Sequence, residues 1–272
     1  MKLGLRIEVA DARGARDGVP RLLDLLGAAR ATATFFFNVG PAHLFGVPWL
    51  PGADLGSQCA TLIQRVRDAG CEAALLAFDG ARWAARAARG DADWTRRAME
   101  RGCERFTEIA RAAPTAHGAA GWQMSRHAFR LTQRLGFYYA SDTRGTRPFV
   151  PVCDAELVAC PQVPTTLPTL TESLAVEGHN IDDALARLLA RSAAPAAAGH
   201  VYSANARLEG VKRARTFERL LAGLLDQGHQ PVALAAYADG IDVAHLPRHV
   251  VTLGAVEGGR APLALQGKEF LS

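Results

Sequence analysis

Leu3, Leu5, Ile7 and Val9 alternate with other residues at the start of the chain, the period-2 pattern of a strand with one buried face. A Gly- and Asp-bearing turn follows. Pro20 sits where a first-turn proline is tolerated, because that backbone nitrogen would have no helical partner anyway. Leu22, Leu23, Leu25 and Leu26 give a helical stripe that Gly27 is placed to stop. Thr32 to Phe37 is a second β-branched and aromatic run. The unit reads βαβ, which predicts parallel strands joined by a right-handed crossover. In β/α proteins the loop after a strand carries chemistry, and here that loop is Val9 to Gly18.

The alternation continues along the chain. Gly40 to Gly56 is rich in Pro and Gly and reads as a loop. Ser57 caps a predicted helix from Gln58 to Ala69, ended by Gly70. Ala73 to Phe78 is a short apolar strand, and 79–91 is irregular or weakly helical. Asp93 caps a long helix through Ala112, closed by Pro114. Thr115 to Gly121 carries a faint strand signal. Ser125 caps a helix from Arg126 to Leu135 with Gly136 as its stop, and Phe137 to Ala140 is the next strand. Glu156 to Val163 reads as a strand broken by prolines. Asn180 caps a helix to about Arg191, and Ala193 to Gly199 is an Ala-Pro-Gly linker. His200 to Ala204 is a strand, Arg213 to Asp226 a helix and Pro231 to Leu234 a last strand; beyond Pro247 the signals fade. About seven alternations predict an α/β domain over 1–272 with a parallel sheet, open or closed. No GxGxxG or P-loop follows any strand, so nucleotide binding has no motif behind it.

Composition narrows this picture. Of 272 residues, 49% are hydrophobic, ample for one large core, and 21% are charged, which excludes a disordered chain. The net charge of +4, dominated by Arg, fits anionic ligands or an anionic surface, and equally an Arg- and Ala-rich bias of composition. The five cysteines match no zinc or redox spacing and read as small buried hydrophobes in a reducing compartment. No apolar run spans a bilayer and no signal-peptide pattern is present. The expectation is a cytoplasmic protein without nucleic-acid partners, its membrane contact peripheral at most.

The segments GLRIEV, RGARDGVPRLL, FFFNVGP, AAGW, SDTRGTRPF, QVPTTLPT and VYSANARLEG occur in this order between Gly4 and Gly210. They resemble the ArnD branch of the polysaccharide deacetylases, the NodB-homology family, and the resemblance extends to about Gly258. It implies a distorted seven-stranded β/α barrel. It also implies a metal-dependent deformylase of an undecaprenyl-phosphate-linked amino sugar in lipid A modification. The stretch between Pro41 and Gln58 looks shorter than in that family.

The departures from the family pattern are informative. Its first motif carries an Asp that acts as general base and an Asp that binds metal; those positions match Glu8 and Ala10. Its paired histidines match Leu76 and Gly80 in LLAFDGARW. The Arg after the GW pair matches Gln123, the late His matches Asn205, and a nearby Glu matches Arg207. Ala, Leu and Gly offer a cation no lone pair, and amide hydrolysis of this kind needs a cation to acidify water. Asn205 is no acid near neutral pH. The expectation is a pseudoenzyme with no cofactor and no metal. It would bind a polyprenyl-phosphate amino sugar, or partner an active paralogue or another envelope-modification protein. The alternative is an active C–N hydrolase with a rebuilt site using Glu8, in which Glu8, Asp11, Asp79 and Asp142 form an oxygen-only metal site.

The residues that match the family are Arg13, Gly14, Arg16, Trp122, Asp142, Arg144, Gly145 and Tyr202; of these Arg13, Arg16, Trp122, Asp142, Arg144 and Tyr202, with Asn205, are the candidate ligand groove. Arg holds phosphate in a bidentate manner and Trp stacks on a sugar face. They could equally hold the barrel together, with Asp142 and Arg144 paired in a turn. Glu8 could be paired with Arg6 or Arg13. His117 and His127 read as structural, and His245 and His249 as loop residues.

Overall fold

The computed structural model describes residues 1–43, 50, 52–196 and 198–270. Besides the short strands Pro41–Ala42 and Ala53–Asp54, which pair with each other in the stretch expected to be a loop, and Glu156–Leu157, the strands in chain order are β1 (Lys2–Val9), β2 (Thr34–Asn38), β3 (Glu72–Ala77), β4 (Ala116–His117), β5 (Tyr139–Ala140), β6 (Val150–Cys153), β7 (His200–Asn205), β8 (Gln230–Val232), β9 (Arg248–Gly254) and β10 (Leu263–Glu269). One parallel seven-stranded sheet runs in the order β7-β1-β2-β3-β4-β5, with β8 pairing at the start of β1. Its two edges are joined by the extended segment 162–167. Val163 N–H donates to Ala140 O (2.7 Å), Thr165 N–H to Thr143 O (3.0 Å) and Thr166 N–H to Val201 O (3.0 Å). The sheet is thus the distorted β/α barrel that the sequence leads one to expect, irregular where β5 and β7 fail to meet.

β1 is central because both its faces are buried. Leu3, Leu5, Ile7 and Val9 are at most 1% exposed, each side chain contributing about 1.5–3 kcal/mol of hydrophobic stabilisation. Gly4, Arg6 and Glu8 form the opposite face. Through Arg6 that face reaches Phe36, Ala119, Trp122 and Ser203, which places it inside the barrel. A Cβ on Gly4 would lie 2.7 Å from Leu234 Cδ2, so the floor closes on this strand only because the residue has no side chain.

The helices are α1 (Val19–Ala28), α2 (Gly56–Asp68), α3 (Gly80–Arg86), α4 (Ala92–Ala110), α5 (Arg126–Arg134), α6 (Leu170–Val176), α7 (Ile181–Ala193), α8 (Ala214–Asp226) and α9 (Leu234–Ala238). Ser125 and Asn180 cap α5 and α7 as expected. Four details differ from the pattern. Gly27 lies inside α1, which ends instead where Arg30 turns left-handed at φ 50°. α2 has no side-chain cap, since Ser57 is already helical. Asp91, not Asp93, caps α4 by accepting from Trp94 N–H at 2.7 Å. The stretch 79–91 holds an ordered helix, α3, capped by Asp79.

α6, β6 and the pair β9 and β10 carried no clear signal in the sequence. α6 is fixed by a reciprocal cap between Thr169 and Glu172. β9 and β10 form an antiparallel pair that joins β6 and Glu156–Leu157 in a four-stranded second sheet. His249 therefore sits in a strand, not a loop, with Nδ1 2.9 Å from Gly267 O. Of the Pro- and Gly-rich stretch 40–56, residues 44–49 and 51 lie outside the described residues, as does 197 in the linker after α7. All five cysteines are free; burial pushes the thiols of Cys59, Cys103, Cys153 and Cys160 up to about 12, as suits inert small hydrophobes.

Candidate functional site

At the C-terminal ends of β1 and β7 a cavity of about 520 Å³ opens, lined among others by Glu8, Trp122, Gln123, Ser203, Asn205 and Glu209. β1 delivers Glu8 through its inward face. The Glu8 carboxylate is not free: Arg6 Nη1 lies 2.5 Å from its Oε1. Arg6 is fully buried and also donates to Ser203 Oγ (2.9 Å) and Ala119 O (3.3 Å). An ion pair this close in a desolvated setting fixes both partners, because separating them would leave a buried charge uncompensated. Of the two partners foreseen for Glu8, the barrel thus selects Arg6.

Trp122 forms the opposite wall. It adopts φ 52° and two guanidinium groups, Arg6 and Arg144, lie over its ring, each 5.0 Å from the ring centroid. Its indole Nε1 is buried without a hydrogen-bond partner among the described residues. Asn205 Oδ1 accepts from Arg207 N–H (3.0 Å) and Leu208 N–H (3.2 Å), so this side chain caps a turn. Gln123 Nε2 donates to Pro262 O at 2.8 Å.

Glu209 was not singled out from the sequence. It is almost fully buried, accepts from Asn205 N–H at 2.9 Å and from the Tyr202 hydroxyl at 3.2 Å, and lines the cavity. Burial, the largest cause, raises its pKa to about 7 against the lowering effect of those hydrogen bonds. The same burial, with Glu209 beside it, holds the Tyr202 phenol well above its ordinary value. The only hint in the sequence was the LEG triplet soon after a predicted strand.

The remaining candidates are dispersed. Arg13 and Arg16 are exposed and pair with Asp17 at 3.8 and 2.7 Å, and neither lines the cavity. Asp142 and Arg144 are not paired with each other. Asp142 Oδ1 is 2.8 Å from His117 Nδ1 and accepts from Ala119 N–H at 2.8 Å, while Arg144 donates to Glu172 at 2.6 Å. Both serve the barrel wall, and His117 is the structural histidine expected. His127 lies 3.5 Å from Arg126 Nε, and His245 pairs with Asp242 at 2.7 Å.

The oxygen-only metal site does not assemble. Asp11 accepts from Gly14 N–H and faces Arg207 at 3.5 Å, and Asp79 is held by His43 at 2.8 Å and Arg82 at 3.3 Å. With Glu8 and Asp142 committed as above, no group of three or more His, Cys, Asp or Glu among the described residues is placed to hold a metal ion. The positions that match the family's ligands do not fit a divalent cation either. Ala10 and Gly80 have no donor, and Leu76 is fully buried in the core. Space is not the obstacle at Gly80, where an added Cβ would meet nothing closer than Asn38 Oδ1 at 3.6 Å.

No family model matches the sequence. Among curated proteins it is similar to a Shewanella sediminis protein named "Probable 4-deoxy-4-formamido-L-arabinose-phosphoundecaprenol deformylase ArnD", at 28% identity over 89% of this chain and 87% of that one. Among solved structures, a polysaccharide deacetylase-type protein from Mycobacterium smegmatis superposes with a TM-score of 0.67 at 18% identity, covering 94% of each chain. BA3943 of Bacillus anthracis, described as a CE4 family pseudoenzyme, superposes with a TM-score of 0.58 at 12% identity, over 92% of this chain and 69% of that one. A mutant of BA3943 is described as having restored enzymatic activity. The chain has the fold of the polysaccharide deacetylases, and in sequence it resembles their ArnD deformylases.

Proposed function

We propose that this protein is a non-hydrolytic ArnD-like pseudoenzyme that binds a polyprenyl-phosphate-linked amino sugar in the cavity at the barrel mouth. The observation that carries this is the Arg6–Glu8 pair. The carboxylate at the outlet of β1, which would have to serve as base, is neutralised by a buried guanidinium 2.5 Å away. Around it Ala10, Leu76 and Gly80 supply no ligand for a cation. What the cavity keeps is a recognition surface: the part of Trp122 that lines it for an apolar part of a sugar, and Glu8 and Gln123 for hydroxyl or amino groups. The polyprenyl-phosphate ligand is inferred from the name of the Shewanella relative.

The test is metal content by mass spectrometry together with formate release from a formamido-sugar phosphate, with and without added Zn, Mn or Co. Neither stoichiometric metal nor turnover is expected; finding both would refute the proposal. The informative variant combines Ala10→Asp, Leu76→His and Gly80→His, which returns carboxylate and imidazole donors to those positions. It is expected to take up a divalent ion that the parent does not, and uptake by the parent would count against the reading.

A second reading rests on Glu209. A buried carboxyl near pKa 7, lining the same cavity as Glu8, is suited to moving a proton at neutral pH. An active C–N hydrolase with a rebuilt site would lose its turnover in both Glu8→Gln and Glu209→Gln. Unchanged turnover in either variant would dispose of this reading.

A further inference from the structure

The cavity at the mouth continues beyond the barrel. Thr171, Leu208, Gly258 and Arg260 also line an adjoining trough of about 510 Å³. The charged groups of that trough are Lys212, Arg213 and Arg260, with His179 beside them, and no described carboxylate lines it. Among the described residues none of the three cations has an ion pair or a side-chain hydrogen bond. The acids of the flanking segments are engaged elsewhere: Glu257 with Arg187 and Arg191, Glu177 with Arg187, Glu172 with Arg144.

Other surface cations, Arg21, Arg65 and Arg134 among them, also lack an ion pair among the described residues; what sets this trough apart is that three gather around one depression whose lining holds no described acid. Arg96, Arg105, Arg126, Arg130 and Arg219 are each matched to an acid within 3.1 Å. Arg13 and Arg16, the sequence candidates for holding an anion, share Asp17. Three like charges gathered around one depression with no counter-charge repel one another, and a bound polyanion relieves that repulsion. Guanidinium forks suit phosphate oxygens, and the Lys212 ammonium adds a point charge. Leu174 and Leu208 give the trough an apolar side against which a non-polar part of the same ligand can rest.

We propose that the trough of Lys212, Arg213 and Arg260 binds the phosphate of a sugar phosphate ester whose sugar occupies the mouth cavity, Arg260 standing at the edge that the two share. The inference rests on reading the mouth as an amino-sugar site. The phosphate could belong to a lipid headgroup or to a soluble sugar phosphate.

The experiment compares the full chain with a Lys212→Ala/Arg213→Ala/Arg260→Ala variant, all exposed positions, after checking that their melting temperatures agree. One probe is a pentose 1-phosphate followed by calorimetry. The other is phosphatidylcholine vesicles doped with polyprenyl phosphate, followed by co-sedimentation, with phosphatidylglycerol vesicles as the control. The parent is expected to bind one probe, more weakly as salt rises, and the variant to bind it at least about tenfold more weakly. Binding to doped vesicles alone identifies a lipid headgroup; binding of the soluble ester alone identifies a free sugar phosphate. Equal affinity of parent and variant overturns the trough and leaves the mouth reading intact. Equal binding to phosphatidylglycerol vesicles overturns it in favour of unselective surface attraction. A parent that binds neither probe overturns both. Formate release that accompanies variant-sensitive binding refutes only the non-hydrolytic part of the reading and supports the trough.

Discussion

The two ends of the barrel are built to different standards. At the floor, Glu72 Oε2 accepts from the Thr34 hydroxyl (2.5 Å), the Tyr139 hydroxyl (2.7 Å) and Ala235 N–H (3.1 Å), while Thr34 Oγ1 accepts from Leu234 N–H at 2.7 Å. That network ties β2, β3 and β5 to α9 and leaves none of those polar side-chain atoms unpaired. At the mouth, Arg6 Nε and Trp122 Nε1 are buried without partners among the described residues, and burial raises the pKa of the Glu209 carboxyl to about 7. Unpaired buried polar groups cost stability wherever they occur. Unpaired buried atoms occur elsewhere among the described residues too, His229 Nδ1 beside the floor strand β8 among them, so what sets the mouth apart is that Trp122 and Glu209 line an open cavity, as does Glu8, the partner of Arg6.

The comparison is broken most severely at Arg6. Arg6→Ala strands Glu8 and removes the contact to the Trp122 face, and it is expected to cost about 3–5 kcal/mol. Replacing both members, Arg6→Met with Glu8→Leu, should cost less than Arg6→Ala alone, because no charge is left buried. Urea denaturation of the parent and the two variants measures this; a double variant as unstable as the single one would show that Arg6 acts through packing rather than charge.

The next effect is a pH dependence. Glu209 has its folded pKa raised from 4.5 to about 7, so between those values the folded state holds a proton that the unfolded state has released. Stability therefore falls as pH rises from about 4.5 to about 7 and is level above, by up to about 3 kcal/mol. Glu209→Gln should remove that slope, seen as an unfolding midpoint independent of pH in this window. A slope that survives the substitution would assign it to another group.

At the floor, Glu72→Gln keeps the shape but weakens charge-assisted bonds, for an expected loss of about 1–3 kcal/mol. Ligand affinity should not change, because Glu72 lines none of the mouth cavity. An altered affinity would show that the two ends are coupled through β3.

How much of this was legible before the structure depends on the range of the interactions. Local signals served well: the alternation of β1, the caps Ser125 and Asn180, and the breaker Gly136 at φ 76° are read from neighbours in the chain. The pair β9 and β10 was hidden because its strands are largely half-exposed and their periodicity is weak. At the site, the sequence named residues at the strand ends that open on the cavity, and Arg6 as one partner for Glu8, but not the other partners. Asp142 was matched to Arg144 by proximity in sequence, whereas its partner His117 is 25 residues away. The match of RGARDG and LEG to the family also has a structural cause. A Cβ on Gly210 would lie 2.7 Å from Gly18 Cα, so the loops after β1 and β7 need glycine to touch at all. Arg13 and Arg16 travel with that loop without facing the cavity.

The smallest effect is the most discriminating. Trp122→Phe retains a ring beneath Arg6 and Arg144 and deletes the unpaired indole N–H. Losing the stronger ring quadrupole is unfavourable and removing an unsatisfied buried donor is favourable, so stability should move by less than about 1 kcal/mol. If the wall of the mouth is there only to hold the barrel, nothing else changes. If Trp122 serves a bound sugar, affinity falls about threefold to tenfold while the unfolding midpoint stays in place, since the larger ring and its N–H are lost to the ligand. Calorimetry with the pentose 1-phosphate, run beside the denaturation curve on the same preparation, separates the two. A loss of stability larger than the loss of affinity would return Trp122 to the floor's category, a residue kept for the fold.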